Sequence, residues 1–83
     1  MSTHEIQSLV FQKGQFTFSD GNQNEGMIIS RYNIPQGRIE YYLIPTNNML
    51  AYQAARSSHE LDAHKKLGMV VEIGNIMQAK MLN

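Results

Sequence analysis

The chain has 83 residues, no cysteine and a net charge of +0, with seven Lys and Arg balancing seven Asp and Glu. That length allows one domain, 1–83, with a thin core, and the lack of cysteine excludes a disulfide framework. No apolar run approaches the ~18 residues that cross a bilayer. The opening Met1-Ser2-Thr3-His4-Glu5 has no basic stretch leading into an apolar one, so the cytoplasm is the expected location and no membrane partner is expected.

The polarity of residues 1–8 predicts a frayed start. Leu9-Val10-Phe11 reads as a short strand or as a segment packed over the mouth of a barrel. Phe16-Thr17-Phe18-Ser19 alternates, with both rings on one side, and predicts a strand near 15–19 before the turn-rich Asp20-Gly21-Asn22-Gln23-Asn24.

The strongest local signal follows. Met27-Ile28-Ile29-Ser30-Arg31-Tyr32 and Arg38-Ile39-Glu40-Tyr41-Tyr42-Leu43-Ile44 are rich in β-branched and aromatic residues and flank Ile34-Pro35-Gln36-Gly37. Pro presets the turn and Gly supplies its left-handed residue, which predicts a hairpin over 26–45 closed by a three-residue loop. With Ile34 closing on Arg38, Tyr32 falls opposite Glu40, Arg31 opposite Tyr41, Ser30 opposite Tyr42 and Ile29 opposite Leu43. One face then carries Met27, Ile29, Arg31, Ile39, Tyr41 and Leu43 toward the core. The other carries Ile28, Ser30, Tyr32, Ile34, Arg38, Glu40, Tyr42 and Ile44. Ile28 and Ile44 do not belong in water, so a helix, a curled sheet or a second copy of the chain must cover the base of that second face.

Downstream the period changes. Pro45-Thr46-Asn47-Asn48 offers capping side chains for a helix from Met49 to Arg56, and Ser57 with Glu60 fits a capping box for a second helix ending at Leu67-Gly68. Met69-Val70-Val71-Glu72-Ile73 predicts a last strand. Residues 75–82 fit neither period decisively.

Strands first and helices after give an α+β class: a small antiparallel sheet or half-barrel of 3–5 strands around the hairpin, with one or two short helices between about 47 and 67. The Gly-led strand, tight turn and tyrosine-rich return strand resemble the central hairpin of SH3-like small barrels, including the KOW-type modules of transcription and translation proteins. The resemblance implies a fold and assigns no functional residue; helices at 46–67 would be an addition to such a barrel.

The chemistry-bearing residues give little purchase for an enzyme. Among His59, Glu60, Asp62 and His64, the two His stand five apart, about 140° around a helix, and so do not share a face as an i,i+4 pair would, which argues against a metal site there. None of the six serines sits in a Gly-x-Ser-x-Gly elbow, and the glycines form no phosphate-binding loop. No cofactor is expected. The expected function is a non-enzymatic interaction module binding a protein partner or a second copy of itself. Tyr32, Arg38 and Tyr42 on the outer hairpin face are its anchors, with Arg31 near the hairpin tip as a fourth binding residue, because interfaces enrich Tyr, Met and Arg. The alternative is weak binding of single-stranded nucleic acid by the same face, with rings stacking on bases and Arg meeting phosphates, against which the neutral charge argues. A small metal-dependent enzyme is the third reading.

Overall fold

The computed structural model describes residues 3–82. Helix α1 (Thr3–Gln7) leads into strands β1 (Lys13–Phe18), β2 (Gln23–Asn33) and β3 (Arg38–Pro45). A single 3₁₀ turn (Thr46–Asn48) opens helix α2 (Met49–Ser57), followed by α3 (Ala63–Leu67), β4 (Met69–Val71), a second 3₁₀ turn (Ile73–Asn75) and β5 (Ile76–Met81). All pairings are antiparallel, and the strand order is β4-β3-β2-β1-β5. The α+β class and the central hairpin therefore stand as expected. No helix among the described residues is long and apolar enough to cross a membrane.

β4 and β5 lie at opposite edges of the sheet but are joined by only Glu72 to Asn75. Four inter-strand steps would put the edges of a flat sheet about 19 Å apart. From Val71 to Ile76 the chain reaches at most about 18 Å when fully extended, and part of it is coiled into a 3₁₀ turn. The sheet must therefore curl. One groove records the result: residues of the β1–β2 turn line it together with Met69, Val70 and Val71 of the far edge. The sheet stays open, since β4 and β5 do not pair with each other.

Each face of the sheet has its own core. On the first face Phe16, Ile28, Tyr41, Leu43 and Ile76 close around Ile6 of α1, with Leu9, Val10, Val71 and Met81 packed beside them. On the second, Ile29, Tyr42 and Ile44 lie under Tyr52 of α2 and Ala63 of α3. The cover required over the base of the second face is thus a pair of helices inserted between β3 and β4. Ile6 is fully buried, so α1 is docked rather than frayed; residues 1 and 2 of the segment expected to fray lie outside the described residues. Leu9-Val10-Phe11 forms turns rather than a strand, tied down where Phe11 N–H donates to the Ile28 carbonyl at 2.7 Å.

The hairpin register differs from the expected one by a residue. Asn33 pairs with Arg38, Tyr32 with Ile39, Arg31 with Glu40, Ser30 with Tyr41, Ile29 with Tyr42 and Ile28 with Leu43. The loop has four residues because the Asn33 side chain closes it: Asn33 Oδ1 accepts from Gln36 N–H at 3.1 Å, while Gly37 N–H donates to the Ile34 carbonyl. Gly37, at φ +63°, is the left-handed residue as expected. The shift re-sorts the side chains. Ile28, Ser30 and Tyr32 share the first face with Ile39, Tyr41 and Leu43, whereas Met27, Ile29, Arg31 and Asn33 share the second with Arg38, Glu40, Tyr42 and Ile44.

The helical insert also departs in detail. Ser57 sits inside α2, its hydroxyl donating to the Gln53 carbonyl, and Glu60 pairs with Lys66 at 2.7 Å, so no capping box forms. Instead α2 ends in a Schellman motif: Glu60 N–H reaches the Ala55 carbonyl and His59 N–H the Arg56 carbonyl, with His59 at φ +59° in the place glycine favours. Asn48 does not cap α2 with its side chain; its Nδ2 donates to the Leu67 carbonyl at 2.9 Å and clasps the two ends of the insert. The strand expected over 69–73 stops at Val71, and the undecided 75–82 becomes β5 along the free edge of β1.

Two substitutions test this packing. A Cβ on Gly26 would stand 2.1 Å from the Ile44 carbonyl oxygen, a backbone atom with nowhere to go. Gly26→Ala should therefore cost about 3 kcal/mol in urea unfolding. His59→Gly relieves the left-handed backbone at the end of α2 and should raise stability by about 0.5–1 kcal/mol in the same assay.

Candidate interaction surface

β2 and β3 outrun their neighbours. β1 pairs with β2 only as far as Met27, and β4 pairs with β3 only from Tyr41 to Leu43. The hairpin from Arg31 to Glu40 therefore projects with both strand edges unpaired by other strands, and its two faces differ in character.

The second face of the tip is polar. Arg31 lies opposite Glu40, and Arg38 Nη2 stands 3.6 Å from Glu40 Oε2. The Tyr42 hydroxyl donates to Glu40 Oε1 at 3.0 Å, while its ring is buried against Ile29 and Ile44 and meets His64 edge-on at 4.7 Å between centroids. The carboxyl of Glu40 is held below its ordinary range, first by the Tyr42 hydroxyl and then, against the opposing effect of desolvation, by Asn33 and Arg38. Burial and the adjacent Glu40 together push the Tyr42 phenol up.

The first face of the tip is apolar. Tyr32 and Ile39 stand directly opposite each other and are 63% and 51% exposed. Ile34 in the loop is exposed as well. Beside this pair a groove of ≈ 230 Å³ runs along the outer edge of β3, between Ile39 and Tyr41 on one side and Val71 and Ile73 on the other, with Arg38 and Glu72 at its rim.

The four residues expected to act together are thus divided. Arg31, Arg38 and Tyr42 share the second face, but Tyr42 is buried and its hydroxyl is committed to Glu40. Tyr32 stands on the first face with Ile39, a residue the expected register had turned into the core. The signal that would have found Ile39 was Asn33, whose side chain lengthens the loop by one residue. No group of three or more His, Asp or Glu among the described residues is placed to hold a metal; His59 is exposed and His64 buried. The chain matches no protein-family model, no curated protein and no solved structure, so its own residues carry the functional argument.

The Tyr42–Glu40 contact has a measurable signature. A carboxyl held low in the folded state contributes stability that is present above its unfolded value near 4.5 and is lost as pH falls through the folded value. Tyr42→Phe removes the largest cause of that shift. The Glu40 titration followed by NMR should move up toward 4.5, and the acid side of the stability curve should flatten.

Proposed function

We propose that this chain is a non-enzymatic interaction module that binds a protein surface through the first face of the hairpin tip. Tyr32 and Ile39 are its apolar anchors, the groove along β3 is its flank and Arg38 is a rim contact. The observation that carries this reading is the directly opposed Tyr32–Ile39 pair, two large side chains more than half exposed beyond the ends of both neighbouring strands. An exposed aromatic–aliphatic pair on a projecting hairpin offers a partner apolar area, while the adjoining groove accepts a side chain in return. The partner is a second protein or a second copy of this chain.

Single-stranded nucleic acid fits this surface less well. A base-stacking ring works with cations on the same side of the sheet, but Tyr32 lies on the first face and Arg31 and Arg38 on the second. We read the curled five-strand sheet as an SH3-like half-barrel, on the strength of its meander of four strands and the return of β5 to β1, with α2 and α3 as an addition between β3 and β4.

Light scattering over a hundredfold concentration range, together with capture of binding proteins on immobilised chain, tests the reading. Tyr32→Ala with Ile39→Ala should leave the circular dichroism and melting temperature nearly unchanged. The same pair should weaken dimer formation, or retention of the captured protein, by about tenfold or more. The reading is wrong if that variant associates as the unsubstituted chain does, or if both single substitutions unfold it. An oligonucleotide affinity that falls steeply between about 50 and 200 mM salt and survives the loss of Ile39 would favour the nucleic-acid alternative.

A further inference from the structure

We propose that His64 is an acid-sensitive latch: protonation of its imidazole releases the α2–α3 cap from the second face of the sheet and uncovers Ile29, Tyr42 and Ile44. The cap is built to move as a unit. It leaves the sheet after Pro45 and rejoins it at Met69, with its two ends clasped by the Asn48–Leu67 hydrogen bond. Its hold on the sheet rests on few side chains: Tyr52, Ala63 and His64 are its buried residues, with Met49, Ala55 and Leu67 partly buried beside the same core. α3 is only five residues long, and no side-chain hydrogen bond caps its N-terminus. Of these side chains, only the imidazole changes its charge near neutral pH.

The surroundings disfavour a charged ring. His64 is 8% exposed and packs at 75° to the Tyr42 ring. Burial holds it neutral first, and the positive charges of Arg31 on β2 and Lys65 on α3 act in the same direction. Asp62 before α3 and Glu40 on β3 oppose them, and the balance leaves the imidazole below its ordinary value of 6.5. On α2, Arg56 lies 6.0 Å over the Tyr52 ring and adds a further cation to the same cluster. Glu60 is occupied by Lys66.

The sign follows from linkage. An imidazole released into water binds a proton more tightly than one in the closed cap. Opening is therefore unaffected above pH 6.5, grows more favourable as pH falls below it, and levels off once the closed form is also protonated. Between those limits the open population rises by at most about tenfold per pH unit.

Amide hydrogen exchange and imidazole titration by NMR on the intact chain decide the matter. Between about pH 7.5 and about pH 5, after correction for intrinsic exchange, protection of the α2 and α3 amides should fall several-fold relative to the paired core of β1 and β2. The ring of His64 should titrate below its ordinary value of 6.5, in step with the α3 amide shifts. His64→Phe keeps a ring against Tyr42 without a titrating group and should abolish the pH dependence of cap exchange. The proposal fails if protection of the cap relative to the sheet is the same at both pH values, or if His64 titrates at or above 6.5. Should the Phe variant fold poorly, the titration in the unsubstituted chain still decides; a Phe variant that folds and keeps the acid response also overturns it.

Discussion

The sheet is bent by a connection too short to leave it flat. Glu72 to Asn75 must carry the chain from the edge beyond β3 to the edge beyond β1, and only a curled sheet brings those edges within reach. Curling gathers Phe16, Ile28, Leu43 and Ile76 into one concave core that the buried side chain of Ile6 in α1 helps to close. It also leaves the convex face to be covered by something else, which is the place taken by the helices between β3 and β4. The projecting hairpin follows from the same geometry, because strands β1 and β4 are too short to accompany β2 and β3 to their turn.

Much of this was legible in the sequence because the signals were local. β-branched and aromatic runs around Pro35 and Gly37 marked the hairpin, and the apolar character of both Ile28 and Ile44 required burial on both sides of the sheet. The register was not legible, because it turned on one side-chain hydrogen bond. Asn33 to Gln36 makes a four-residue loop where the Pro-x-Gly pattern suggested three, and a shift of one residue moves side chains to the opposite face. That single bond separates Tyr32 from Tyr42 and joins it to Ile39. The end of α2 escaped for a related reason: a Schellman motif with histidine in the left-handed position looks, in sequence, like the start of a helix at Ser57 rather than the end of one. β5 was ambiguous because a strand along β1 is specified by the edge it meets and only weakly by its own pattern.

The two faces of the hairpin tip divide two kinds of work. The polar face holds Glu40 in a cluster of Tyr42, Asn33, Arg31 and Arg38 that borders the helical cap and His64. The apolar face presents Tyr32 and Ile39, opposite each other and more than half exposed. That face lies on the opposite side of the sheet from the cap, whereas Tyr42 touches both His64 of the cap and Glu40 of the tip.

The helical insert also bears on how such a chain can be remodelled. Its flanks are already neighbours, since Leu43 pairs with Met69 and Tyr42 with Val70. The segment from Thr46 to Gly68 therefore occupies the position of an ordinary hairpin turn, and the sheet's connectivity does not depend on its length or content. What ties the sheet to this particular segment is the second-face core, Ile29, Tyr42 and Ile44 with Met27 packed beside them, which would face water without it. Exchanging the lid for a tight turn is thus a problem of surface chemistry at these few positions, since β3 and β4 already pair side by side.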